Sequence, residues 1–232
     1  RVGAAAGVSF NDTRNGNGDS ADGNRLHAGV SVKYAPGPFQ LAAALTGSWG
    51  DVSATRQVDL AGEIQSLTGE TMVGTYNLKL RGAYQLGSDS LYLMPQLDLN
   101  STYVTSKGFS ENGGSAALDI GGMDETIFSL NTAVEIGANR RYEDGGVLRA
   151  FAKIGATFYS ESGVDLTSTL ASDQTGVDGF SLGAGGDDQV WNLAAGITTH
   201  KLSGWSTEAR VNMTLGGATN DQQASIKVRK TF

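Results

Sequence analysis

The sequence predicts an all-β chain: an antiparallel, up-and-down transmembrane β-barrel of about ten strands, with short periplasmic turns and long extracellular loops. Three observations carry this expectation. Apolar and polar residues alternate with period two through each candidate strand, so each strand has one apolar and one polar face. The connections alternate long and short from start to end, the pattern of a barrel with one end outside the cell and the other in the periplasm. Aromatic residues gather at strand ends, at Phe10, Tyr34, Phe39, Trp49, Phe158, Trp205 and Phe232, where bilayer interfaces take them. A soluble sandwich would place them mid-strand and has no reason to sort its loops by length.

The elements follow in order. Residues 1–10 place Val2, Ala4, Ala6, Val8 and Phe10 on one side, and the polar stretch 11–24 reads as a loop. Residues 25–34 turn Leu26, Ala28, Val30, Val32 and Tyr34 outward before the tight turn APGP at 35–38. Residues 39–49 present Phe39, Leu41, Ala43 and Leu45, and a second long loop spans 50–71. Residues 72–86 carry Tyr76, Leu78, Leu80 and Tyr84 on one face. Residues 91–104 answer with Leu91, Leu93, Leu97, Leu99 and Tyr103. Pro95 is awkward in a central strand and calls for a bulge or rim position. After a third long segment at 105–125, strands are expected at 126–138 and 148–158, joined by a turn at 140–146. The longest loop, 160–188, precedes strands at 189–199 and 205–215, with a turn at 201–204. The last strand, 222–232, sets Ala224, Ile226, Val228 and Phe232 against Gln223, Ser225, Lys227, Arg229 and Thr231.

Composition agrees with this reading. The 232 residues include no Cys, which removes disulfides, thiol catalysis and zinc–thiolate sites. No apolar run approaches the 18 residues of a transmembrane helix. With 39% hydrophobic residues and a mean hydropathy of −0.20, the average resembles a soluble protein. A membrane barrel gives the same average, because half of each strand faces a polar interior. The net charge of −7 argues against nucleic acid as a partner.

Parity assigns the apolar face to lipid and the other to the lumen. Arg25, Lys33, Lys79, Arg81, Arg149, Lys153, Arg210, Lys227 and Arg229 fall on the lumen parity, with Asp98 and Glu208 as its acidic members. A cation facing hydrocarbon near the midplane costs about 2–4 kcal/mol, so this sorting is physically required. Lys230 falls on the lipid parity, near enough to a strand end to snorkel. The basic lining contacts a threaded segment, sets ion selectivity, or is a solvated lumen balanced by Asp98, Glu208 and water. Catalytic residues, a metal and a cofactor are not expected. His27 belongs at the outer rim and His200 at the periplasmic end, too far apart for a shared metal. The glycine run at 183–186 lies in a loop and opens no helix, so it does not read as a phosphate cradle.

Several stretches stand in the order and spacing of a known family. They are RVGAAAGVSF with its Asn/Asp/Gly loop, YNLKLRGAYQLGSDSLYLMPQLDL at 76–99, GFSENGG at 108–114, FSLNTAVEIGANRR at 128–141, and the terminal strand ending in Phe232. Over its whole length the chain resembles the translocator β-domain of autotransporters, the type V secretion proteins of Gram-negative bacteria. The resemblance implies a twelve-stranded outer-membrane barrel with a helix through its lumen, joined to an N-terminal passenger that the barrel anchors and helps deliver to the cell surface. It implies that Phe232 is the assembly signal read by the outer-membrane barrel assembly machinery. Lys230 stands where the family often has a second aromatic or apolar residue. On this comparison RVGAAAGVSF is the family's third strand, and residues 1–232 are one barrel domain without its first two strands, lumen helix and passenger. The expected partners are outer-membrane lipid, the assembly machinery, and the protein's own passenger and lumen helix. The alternatives are a ten-stranded outer-membrane hydrolase or protease, which the strand count suits, and a small porin or adhesin-like barrel.

Overall fold

The alternation of the sequence becomes strand almost wherever it occurs. A computed structural model describes residues 1–88, 90–161, 163–172, 179–201 and 203–231. Among these, ten long strands form one antiparallel sheet: β1 (Val2–Arg14), β2 (Ser20–Tyr34), β3 (Phe39–Leu60), β4 (Glu63–Tyr84), β5 (Leu91–Ser106), β6 (Met123–Arg141), β7 (Val147–Tyr159), β8 (Gln189–His200), β9 (Trp205–Leu215) and β10 (Asn220–Lys230). Each pairs with its neighbours in sequence, from β1 at one edge to β10 at the other. Pro95 sits at an interruption in the β4–β5 ladder, between the Ala83–Gln96 and Leu86–Leu93 pairs. Its missing N–H therefore breaks no hydrogen bond to β4.

Register sorts the side chains. Val30 lies between Ala4 and Leu45, Ile154 between Val134 and Leu193, and Val211 between Ala195 and Ala224. These rows form a continuous apolar face that stays exposed, with Val30, Leu45, Ile154 and Val211 each about half accessible. The opposite face is concave. A single cavity of about 390 Å³ is lined by Lys33 of β2, Arg81 of β4, Glu135 of β6, Lys153 of β7 and Arg210 of β9. In a flat sheet β2 and β9 would stand roughly 34 Å apart. Only a strongly curled sheet brings them to one cavity.

Two aromatic rows bound the apolar face. One end carries Tyr34, Phe39, Tyr84 and Trp205; the other carries Phe10, Trp49, Tyr76, Tyr103, Phe128, Phe158 and Trp191, all exposed. Phe39 meets Tyr84 edge-on at 4.7 Å, and Tyr76 stacks on Tyr103 at 6.3 Å. From Phe39 to Trp49 is roughly 33 Å of strand. Tilted by 35–45°, that length spans about 25 Å, the height of an outer-membrane apolar band.

The stretches expected as long loops at 11–24 and 50–71 are largely strand. β1 and β2 continue to a connection at 15–19, and β3 and β4 each run 22 residues to a two-residue turn. A tilted membrane strand needs only about 9–11 residues. Ala61 and Gly62 make this turn with φ of +56° and +92°, the double left-handed geometry of a type I′ hairpin. Beyond Trp49 the faces exchange polarity. Asp51, Ser53, Thr55, Gln57 and Asp59 now take the outer parity, and Val52, Ala54 and Val58 the inner one. The outer face of this extension meets water, so its outward residues are polar.

A second sheet sits at the same end. It comprises Phe109–Ser110, Leu118–Ile120, Gly163–Leu170 and Phe180–Gly185, with Leu118–Ile120 and Gly163–Leu170 in the middle. Among the described residues, neither β1 nor β10 pairs along its outer side. The curled sheet is therefore a barrel wall with two free edges.

Candidate functional site

The concave face is built by one parity of the ten long strands. Ladder register places all eleven residues singled out in the sequence on it. Arg25 lies opposite Ser9 and Gly50, and Lys33 opposite Ala42. Lys79 and Arg81 face Asn100 and Asp98; Arg149 and Lys153 face Asn139 and Glu135. Arg210 lies opposite Ser225, Glu208 opposite Lys227, and Arg229 opposite Ser206.

These residues do not act as one group. Asp98, almost fully buried, gathers the first cluster: Arg81 donates Nε and Nη2 to its two oxygens, each at 2.6 Å, and Lys79 Nζ stands 3.3 Å away. Glu135 gathers the second. It accepts Arg149 Nη2 at 2.6 Å and the Tyr92 hydroxyl at 2.8 Å, while Arg149 Nε donates to the same hydroxyl at 2.9 Å. Tyr92 is buried with Ala83 and Met94 beneath this group. Gln96 extends toward Glu135 at 3.4 Å, and Lys33 donates to Gln40 at 2.8 Å.

Lys153 and Arg210 form no ion pair among the described residues. Arg210 donates to Asn212 at 2.7 Å and lies over the Phe151 ring, as does Arg149. Both free cations line the cavity. With Lys33, they leave an excess of positive charge in a polar, water-accessible concavity. Glu208, Lys227, Arg229 and Arg25 sit nearer the two edges and take no part in either cluster. Phe232, the expected assembly signal, lies outside the described residues.

Glu135, Tyr92 and Gln96 were not anticipated as site residues. Glu135 was legible: it sits between Val134 and Ile136, so period two turns it inward. Tyr92 was not, because an aromatic on the inner parity reads as an exception until its polar partners are known. Its ring needs Gly137 opposite, since a methyl group there would overlap the Tyr92 ring and hydroxyl. His27 Nε2 and the Ser9 hydroxyl share a hydrogen bond of 2.9 Å on the concave face, and His200 lies at the other end of the wall. No group of three metal-ligating side chains occurs among the described residues.

An apolar exposed band, aromatic rows at both its margins and a charged concave face define a membrane barrel wall. The description "Autotransporter beta-domain" matches residues 1–212. The chain belongs to the autotransporter beta-domain family. Domains of this family are the translocators of type V secretion, outer-membrane barrels that transport rather than catalyse. Among solved structures, the translocator domain of autotransporter NalP from Neisseria meningitidis is similar over 100% of this chain and 76% of that one, with a TM-score of 0.73 and 15% identity. The beta domain of the Bordetella autotransporter Brka aligns over 100% of this chain and 99% of that one, with a TM-score of 0.48 and 11% identity. A search of curated protein sequences finds no match. For this autotransporter domain, the two sides of the wall carry opposite physical duties: one must be soluble in lipid, the other must keep water and charge along a passage.

Proposed function

We propose that this domain anchors an N-terminal passenger in the outer membrane of a Gram-negative bacterium and lines the passage by which the passenger, or the helix joined to it, crosses. The observation that carries this reading is the two-faced curled wall, with a cavity edged by the free cations Lys153 and Arg210 on its inner side. In the complete protein those cations meet acidic or carbonyl groups of the threaded segment. The clusters around Asp98 and Glu135 hold the strands at fixed spacing beneath them. Unpaired strand edges in hydrocarbon cost several kcal/mol per exposed backbone group. Two further strands between β1 and β10 would close the wall at the twelve expected of the family. The ends with connections at 35–38, 85–90, 142–146 and 201–204 face the periplasm, and the outward face contacts lipid.

The test is surface delivery. In the full-length protein with an epitope in the passenger, intact cells are expected to present the epitope to external protease only when residues 1–232 are present and assembled. A leader sequence directly before Arg1, with no passenger between, would overturn the reading. Phe232 is expected to act as the recognition signal of the assembly machinery. Deleting it should slow barrel insertion several-fold, followed by heat-modifiable gel mobility, with synthesis unchanged; unaltered insertion would remove that role.

A further inference from the structure

Lys230 is the one cation of β10 that strand alternation turns toward lipid, and the passage inside the wall gives it no task. It lies directly opposite Trp205. Lys201 lies opposite Trp205 on the other side: its N–H donates to the Trp205 carbonyl at 2.8 Å, in step with the Thr199–Thr207 pair. Lys201, Trp205 and Lys230 therefore form one row across the ends of β8, β9 and β10, on the lipid-facing parity and level with the aromatic row at the turn end. Neighbouring strands run about 4.8 Å apart, so the two lysine backbones stand roughly 10 Å apart with the indole between them. A lysine that only snorkels stretches past the strand end into water. Lys230 does the reverse. Its Nζ lies over the Trp205 ring, 5.0 Å from the centroid, and donates to the Ser203 carbonyl at 2.7 Å. That uses one ammonium N–H and leaves two to donate. Among the described residues no carboxylate pairs with Lys201 or Lys230.

Charge on the lipid-facing parity is also sorted by end. At the turn end the ladder positions of this face carry Arg140, Lys201 and Lys230 and, among the described residues, no acid. Past the aromatic row at the far end they carry Asp12, Asp22, Asp51, Glu70 and Asp124 against Arg14, which pairs with Asp12 at 3.0 Å, and Lys107. Plain solvation would scatter both signs over both ends. We propose that Lys201, Trp205 and Lys230 bind the phosphodiester headgroup of an anionic phospholipid in the periplasmic leaflet. This rests on the orientation given above, with the short turns in the periplasm. The indole sits at the membrane–water interface, where its ring is wet at one edge and apolar at the other. The two ammonium groups donate charge-assisted hydrogen bonds to the phosphate oxygens. With no acid in the row, a headgroup that carries its own ammonium finds no partner there, so a net negative lipid is preferred.

Native mass spectrometry of the full-length protein, folded in detergent and titrated with dioleoylphosphatidylglycerol or dioleoylphosphatidylcholine, reads the site directly. Each lysine beside an anionic headgroup strengthens binding about fivefold, so the native barrel is expected to prefer the glycerol lipid about thirtyfold. Lys201→Gln and Lys230→Gln should each lower that preference about fivefold, and the double variant should bind both lipids alike. Lys107→Gln removes the same charge from the same face at the far end, where its N–H donates to the Met72 carbonyl, and should change nothing. Heat-modifiable mobility selects the folded fraction of every variant, so misfolding does not enter the comparison. A double variant with the native preference would overturn the site. So would an equal loss from Lys107→Gln, the sign of net charge alone. Stronger retention of a phosphorylated glycolipid of the outer leaflet than of phosphatidylglycerol would overturn the site and the orientation together. A barrel that keeps its lysine-dependent preference yet displays no passenger would leave the site standing and sink the translocator reading instead.

Discussion

Val211→Arg is expected to abolish most outer-membrane assembly, whereas Asn212→Arg should assemble at close to the native level. Val211 lies mid-strand in β9 on the apolar face, between Ala195 and Ala224, and is half exposed. An arginine there faces hydrocarbon with no charged group in the same row. Near the midplane this costs about 2–4 kcal/mol, enough to shift the folding equilibrium by about one and a half to three orders of magnitude. Asn212 faces the concavity. Its replacement forfeits the bond from the Arg210 guanidinium, worth up to about 1.5–3 kcal/mol for a charged donor but partly replaced by water on this wet face, and adds a cation to a surface already carrying several. The comparison is read as the heat-modifiable folded fraction in outer-membrane preparations. Equal losses at the two positions would invert or erase the assignment of faces. Leu193 and Asn192 offer a second pair, but a less clean one. Asn192 also donates to Thr157 at 2.8 Å, so its loss perturbs the neighbouring strand.

The faces were legible because lipid and water impose opposite demands on adjacent residues, and no tertiary detail can reverse them within the membrane. Beyond Trp49 the same logic misleads. Val52, Ala54 and Val58 keep period two, yet on the inner parity, because there the outer side is wet. A reader expecting apolar residues outward sees a loop. The polarity exchange itself marks where the bilayer ends, and Ala61–Gly62 marks the turn. The basic lining could be placed by counting. How it divides could not, because Asp98 and Glu135 choose among several nearby cations by side-chain reach. Sequence spacing along one strand does not measure distance across four. SAALDI at 115–120 reads as a possible extension of a strand beyond the membrane, and Leu118–Ile120 is strand there, lying between Phe109–Ser110 and Gly163–Leu170.

Gly137→Ala is expected to destabilise the wall by roughly 2–5 kcal/mol, the larger part of it through Tyr92. The added methyl group would occupy the place of the Tyr92 ring and hydroxyl. That ring is only 3% exposed, enclosed by Ala83 and Met94 and covered by the Arg149 guanidinium at 5.4 Å. The strand or the ring must therefore shift, which in packed interiors costs about 1–3 kcal/mol. The shift also breaks the hydroxyl's bond to Glu135. A hydrogen bond to a charged group adds about 1.5–3 kcal/mol when lost. Gly82→Ala is the internal control. Its Cβ would meet nothing within 4 Å, so it should be neutral or stabilising by up to about 1 kcal/mol, since glycine in a strand carries an entropic penalty. Tyr92→Ala combined with Gly137→Ala should cost distinctly less than the sum of the two single changes, because removing the ring removes the clash. Urea unfolding in detergent micelles measures all four proteins. Strict additivity would mean that glycine and ring do not share the space assigned to them. In that case the Glu135 cluster would not fix the spacing of β5, β6 and β7 at the turn end of the passage.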